Sequence, residues 1–142
     1  VDLPGLALEA IHMMPKPQQP GGVPIWVSGR VNERVARRLA RFGSGWIPWG
    51  EDAGDLAASI PRMRKAVVAA GGDGDAIQVA GTLPTARRED RRIDLDATME
   101  RALPLIEAGV TDFRAHVPVP SEYDAAVDYL RGIADVFQTA TR

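Results

Sequence analysis

The chain has 142 residues, 45% of them hydrophobic and 25% charged, a composition of single globular domains and not of disordered chains. With 17 basic against 19 acidic residues the net charge is -2, the wrong balance for a nucleic-acid binder. The absence of cysteine removes disulfides, thiolate zinc sites and a thiol nucleophile together, His12 and His116 are too few for a multi-histidine metal centre, and no apolar run nears the ~20 residues of a membrane span, so a cytoplasmic chain is expected.

Glycine and proline divide the sequence into an opening stretch and four similar blocks. In the opening stretch Pro4, Pro15, Pro17 and Pro20 exclude a helix across the second half, and Ile11 to Met14 suits a short extended segment. The first block begins with Val23-Pro24-Ile25-Trp26-Val27-Ser28, an apolar run between glycines that predicts a buried strand with Pro24 near its start. Val31, Val35, Leu39 and Phe42 then recur at helical spacing, and Gly43 ends that helix. The second block predicts a strand at Gly45-Trp46-Ile47-Pro48, a loop through Gly50-Glu51-Asp52 and a helix to about Ala70. Within that helix Pro61 either sits in the first turn behind a Ser59 cap or marks a kink. The third block predicts a strand from Ile77 to Thr82, a solvated loop or ragged turn from Arg87 to Arg92, and a helix capped by Asp94 or Asp96 that ends at Gly109. In the fourth, a strand runs from Asp112 to Val117, and a last helix capped by Ser121 carries Ala126, Tyr129, Leu130, Ile133 and Phe137 on its apolar face.

Strand then helix, four times over, is the pattern of a parallel α/β protein. The pattern permits two closures, a doubly wound open sheet of flavodoxin type or half of an eight-stranded βα barrel.

Most motifs that carry chemistry are missing. There is no Walker A sequence, and Gly43-Ser44-Gly45 fits neither the dinucleotide fingerprint nor a nucleophile elbow. Gly72-Asp73-Gly74-Asp75 lacks the ligand series of a calcium loop and reads as a polar turn. The positive signal is the turn Ser28-Gly29-Arg30, which joins a strand's C-terminal end to a helix start. Free N–H groups, a hydroxyl, a glycine and a guanidinium there suit a phosphate, although a plain capped turn has the same amides. Arg30, Arg34, Arg37, Arg38 and Arg41 read as the solvated outer face of the helix that follows. Alternation in the fourth strand puts Arg114 and His116 opposite Phe113, Ala115 and Val117, so that in a barrel His116 would stand near the active-site mouth. Trp26, Trp46 and Trp49 suit packing or the wall of a cofactor pocket, and Glu51, Asp52 and Asp55 suit helix capping.

Three strings together resemble one family: Pro15-Lys16-Pro17-Gln18-Gln19-Pro20, Pro24-Ile25-Trp26-Val27-Ser28-Gly29, and Ala40-Arg41-Phe42-Gly43-Ser44-Gly45-Trp46-Ile47-Pro48. In this order, with Ala108-Gly109-Val110-Thr111-Asp112 before the last strand, the chain is similar to the C-terminal half of the luciferase-like monooxygenases. That superfamily includes FMN-dependent relatives of bacterial luciferase and oxidoreductases using coenzyme F-420, and Pro24 to Trp49 looks most like the F-420 branch. Two departures stand out, Ser28-Gly29 where the family usually has Gly-Gly and Ser44 where it has an aspartate.

The resemblance implies a (β/α)8 barrel of TIM type, of which residues 1–142 would be the C-terminal half-barrel with about four βα units. It implies an oxidoreductase that transfers hydride or activates oxygen on a small organic substrate, with FMN or coenzyme F-420 as cofactor. Ser28, Gly29 and Arg30 would hold the cofactor phosphate, Trp46 and Trp49 would lie at the same mouth, and Arg114 and His116 would face the substrate. A whole barrel needs about 250 residues, so the chain is expected to be part of a longer enzyme and not to catalyse alone. Its open sheet edges would be covered by another copy or by the N-terminal half. The rival reading is a non-catalytic α/β module that binds a phosphorylated ligand or serves as an assembly scaffold.

Overall fold

The computed structural model describes residues 2–4, 6–7 and 18–141. The extended segment expected at Ile11 to Met14 lies outside them. Near the start, β1 (Asp2–Leu3) and β2 (Leu6–Ala7) form a short antiparallel ladder of their own.

The first block folds as β3 (Trp26–Gly29) and α1 (Glu33–Phe42). Helix α1 starts at Asn32, whose side chain accepts the Val35 N–H, and ends where the Gly43 N–H meets the Leu39 carbonyl. Val35, Ala36 and Leu39 are buried, whereas Phe42 remains 48% exposed and Val31 sits in the turn before the helix. The arginines Arg34, Arg37, Arg38 and Arg41 are all exposed.

The second block gives β4 (Gly45–Pro48), a single turn α2 (Glu51–Gly54) where a loop was expected, and α3 (Leu56–Ala69). Pro61 does not sit in a first turn behind a Ser59 cap. The break falls earlier, at Asp55, whose carboxylate accepts the Ala58 N–H (3.1 Å), and α3 carries Pro61 within it. Ser59 is not a cap; its hydroxyl donates to the Asp52 carbonyl (2.8 Å).

In the third block β5 (Gln78–Thr82) leads into a hairpin, β6 (Ala86–Arg87) paired antiparallel with β7 (Ile93–Asp94), so of the two expectations for Arg87 to Arg92 the turn is the one found, closed by the Arg91 N–H on the Arg88 carbonyl. The buried Thr98 hydroxyl accepts the Ala86 N–H (2.9 Å) and ties the hairpin to the helix behind it. That helix is two pieces, α4 (Leu95–Glu100) and α5 (Ala102–Glu107). The cause is Pro104, which has no N–H for the carbonyl four residues back, at Glu100. The fourth block is β8 (Asp112–Arg114) and α6 (Tyr123–Ala140). Strand β8 is half the expected length, and the N-cap position of α6 is Glu122, with no side-chain cap, so Ser121 does not have the capping role its residue type suggests.

Strands β3, β4, β5 and β8 form one parallel sheet in chain order. Among the described strands the order never reverses, so they contain no switch point of the flavodoxin kind. Pairing of Val27 with Trp46 and of Trp46 with Val79 sets those three side chains on one face, where they meet Leu39, Ile60, Met63 and Val67 from α1 and α3. Phe113, opposite Gly81, extends that face to a second cluster with Leu83, Met99, Ala102, Ile133 and Phe137. Phe113 and Phe137 meet edge to face at 5.6 Å, which seats α6. The described helices therefore give their buried side chains to one face of the sheet. Trp26, Ser28, Ile47, Thr82 and Arg114 alternate onto the other. No described helix is long and apolar enough to cross a membrane.

Asp94 links the hairpin to α4, accepting the Ala97 N–H (3.2 Å) and meeting the Arg88 guanidinium (3.3 Å). The Ala97 hydrogen bond, with help from Arg88 and against a smaller effect of burial, holds its carboxyl below the usual value. A lowered folded pKa contributes stability that is present above the unfolded pKa and lost as pH falls through the folded one. Asp94→Ala should therefore lower the melting temperature at neutral pH, and the gap to wild type should close in acid. Thermal denaturation followed by circular dichroism checks this, and a gap that does not change with pH contradicts it.

Candidate functional site

Parallel pairing fixes the position of the site. Gly29 lies opposite Pro48 and Thr82 opposite Arg114, so the C-terminal ends of the strands share one edge of the sheet. The connections leaving that edge are the Ser28–Arg30 turn, the Trp49–Gly50 corner, the β6–β7 hairpin and the segment with His116. Residues up to 86 positions apart in sequence, Ser28 and Arg114, thus belong to one rim.

The β3–α1 turn is the most built part of this rim. Gly29 adopts φ +153°, a conformation open to glycine, and a Cβ there would stand 2.7 Å from Val35 Cγ2. The Trp46 indole N–H donates to the Gly29 carbonyl (2.9 Å) from beneath. The Arg30 Nη2 meets Glu51 Oε2 at 2.6 Å, and the Val31 N–H donates to Asp52 Oδ2 at 2.7 Å. Two neighbours in one turn are thereby tied to two neighbours in the next. Asp52 is buried, and Arg62 Nη1 approaches its other oxygen at 3.5 Å. Between the turns lies an open polar pocket of about 480 Å³ lined by Arg30, Asn32, Glu51, Asp52, Asp55 and Arg62. It carries cations and carboxylates side by side, so an incoming anion competes with groups of the protein for the arginines.

The residues singled out from the sequence occupy distinct places. Ser28 is exposed on the helix-free face, and Gly29 and Arg30 follow it at the rim. Trp49 is 70% exposed at the corner after β4. Trp46 is fully buried on the helix face, so it supports the turn through its N–H and presents no ring to the rim. Trp26 lies on the opposite face, its indole stacked over Gly45 where a Cβ would stand 2.5 Å from Trp26 Cε3. The three tryptophans therefore form no common wall. Arg114 ends β8 and borders a crevice of about 50 Å³ with Ile47, Pro48, Ala80 and Thr82. His116 is a correction: the strand stops at Arg114, so strand alternation does not set the direction of this exposed histidine.

Asp55 has the capping role expected of it, but Asp52 was misjudged. It caps nothing in its own helix and instead takes the amide of the neighbouring turn. A signal was present in the spacing. Asp52, Leu56, Ser59, Met63 and Val67 recur at steps of three and four and are all buried. A carboxylate on an apolar stripe needs a buried partner.

A family model described as luciferase-like monooxygenase matches residues 5–132. The chain belongs to the luciferase-like monooxygenase family, a family of oxidoreductases whose members typically use flavin or F-420 cofactors. No curated protein matches the chain.

Trp46 couples the core to the rim, which gives a direct test. Trp46→Phe keeps most of the apolar packing but leaves the Gly29 carbonyl without its donor, at a cost of about 1–3 kcal/mol. Urea denaturation should show that loss, and unchanged stability would contradict the role given to the indole N–H.

Proposed function

We propose that this chain is the cofactor-holding C-terminal half of a (β/α)8 barrel, part of a flavin- or F-420-dependent oxidoreductase acting on a small organic substrate. The observation that carries the reading is the family match over residues 5–132 in a chain whose sheet gathers the Ser28 turn, Trp49 and Arg114 on one rim. The half-barrel part is supported by strands in unbroken chain order with helices on one face, because a βα barrel keeps its helices outside. Parallel sheets ordinarily have both faces covered, so the helix-free face would be the inner wall of the closed barrel.

The residues present fit a phosphate-bearing cofactor. Ser28 offers an exposed hydroxyl, Gly29 carries no side chain of its own, and the Arg30 guanidinium is 58% exposed. Val31 adds nothing, because its N–H already has Asp52. In this reading Ser28 and Arg30 hold the phosphate, Trp49 borders the mouth, and Arg114 and His116 face the substrate. A bound flavin or deazaflavin supplies the hydride-transfer chemistry. Arg114 contributes a fixed positive charge that orients an anionic or polar substrate. Cytoplasmic location and closure of the barrel by a second copy or by an N-terminal half belong to the same proposal.

Fluorescence titration with FMN and with coenzyme F-420 tests it. One of the two should bind, and Arg30→Gln should weaken that binding roughly tenfold or more, the loss expected of a charge-assisted hydrogen bond. Binding of neither cofactor contradicts the reading. Tight binding that Arg30→Gln leaves unchanged contradicts the assignment of the turn.

A further inference from the structure

We propose that Glu51 is the resident competitor for the anionic group that Arg30 takes, and that Asp52 beside it is the positioning residue that shapes the turn. The inference rests on the reading of Ser28 to Arg30 as the phosphate-holding turn. Two consecutive residues of one connection, Arg30 and Val31, are tied to two consecutive residues of the next, Glu51 and Asp52, but the two ties differ in kind. The Arg30–Glu51 pair is short at 2.6 Å, yet its side chains are 58% and 87% exposed. An ion pair so exposed is weakly held, and water or another anion readily replaces one partner. The Asp52 carboxylate is 8% exposed and accepts a backbone N–H at 2.7 Å. Its own carbonyl takes the Ser59 hydroxyl at 2.8 Å, which anchors the residue to α3. Displacing that carboxylate would strand both it and the Val31 amide away from water.

An anion arriving at the rim therefore meets one exchangeable contact and one fixed one. It replaces Glu51 on Arg30, while Asp52 keeps Val31 and with it the path of the backbone from Gly29 into α1. Glu51 then lowers affinity in proportion to its hold on Arg30, and Asp52 acts through geometry without touching the ligand.

Titration of five variants with FMN and coenzyme F-420 at low salt tests both roles. Glu51→Gln should lower the dissociation constant roughly two- to fivefold, the size of an exposed pair's coupling, and the gain should vanish in an Arg30→Gln background. Asp52→Asn keeps an acceptor for Val31 and should bind within about twofold of wild type, whereas Asp52→Ala should bind more weakly and speed hydrogen exchange at the Val31 amide. If Arg30→Gln weakens binding but Glu51→Gln changes nothing, the competitor role is overturned and the phosphate reading of the turn stands. A Glu51→Gln gain that persists without Arg30 also overturns it, because the effect is then general charge. Asp52→Asn as weak as Asp52→Ala overturns the positioning role. Binding unaffected by Arg30→Gln, or no binding by wild type and Glu51→Gln alike, overturns the inference together with the reading beneath it.

Discussion

Four strands running the same way are the constraint from which every functional statement follows. In a parallel sheet each connection must leave from the C-terminal edge of one strand and return to the N-terminal edge of the next, so successive strand ends collect on one side. The pairs Trp26–Gly45, Trp46–Val79 and Ala80–Asp112 establish that direction across the sheet. Reversing β3 would send the Ser28 turn to the far side, and reversing β8 would send Arg114 there. The register depends in turn on one packed face, where Val27, Trp46 and Val79 lie against α1 and α3. A slip by one residue would move these side chains to the helix-free face, and the loss of burial resists it.

The core and the rim are joined by a small number of polar contacts. The Trp46 indole belongs to the hydrophobic cluster yet donates to Gly29, at the end of the neighbouring strand. Asp52 and Ser59 lie on the buried side of α2 and α3 and reach the same region. At the opposite, N-terminal edge Thr111 ties the last two strands of the sheet, accepting the Val79 N–H at 2.7 Å while its own N–H donates to the Val79 carbonyl at 3.0 Å. Such contacts hold strand ends in place where the ladder gives out. They explain how a short turn in an open sheet can keep one shape before a ligand arrives.

Much of the architecture was legible because the apolar runs are short and bounded by glycine or proline. Trp26–Gly29, Gly45–Pro48 and Gln78–Thr82 fall within or beside the segments expected, and the helix stripe of Val35 and Leu39 is buried. What escaped was decided by long-range partners or by single backbone groups. The break between α4 and α5 follows from Pro104, whose effect lies four residues upstream of itself. Antiparallel pairing of Ala86 and Arg87 with Ile93 and Asp94 is hidden by a run of arginines and acids that resembles a solvated loop. The early end of β8 left His116 outside the strand, and no residue between Arg114 and Pro118 announces it. In the site, Ser28, Gly29 and Arg30 stand at a strand end as their motif suggested, while the Val31–Asp52 tie spans 21 residues and no local pattern names the partner. The family itself was legible from three strings of sequence, and the match over residues 5–132 agrees with them.

The shared rim is open to one direct measurement, the pattern of cross-strand contacts between β3 and β4 by isotope-edited nuclear Overhauser spectroscopy. Parallel strands bring Trp26 beside Gly45 and Gly29 beside Pro48, and contacts at both of these pairs are the result expected. Contacts of Trp26 with Pro48 and of Gly29 with Gly45 would mean that the strands run in opposite directions. The Ser28 turn and the Trp49 corner would then lie at opposite ends of the sheet, and the site described at its edge would not exist.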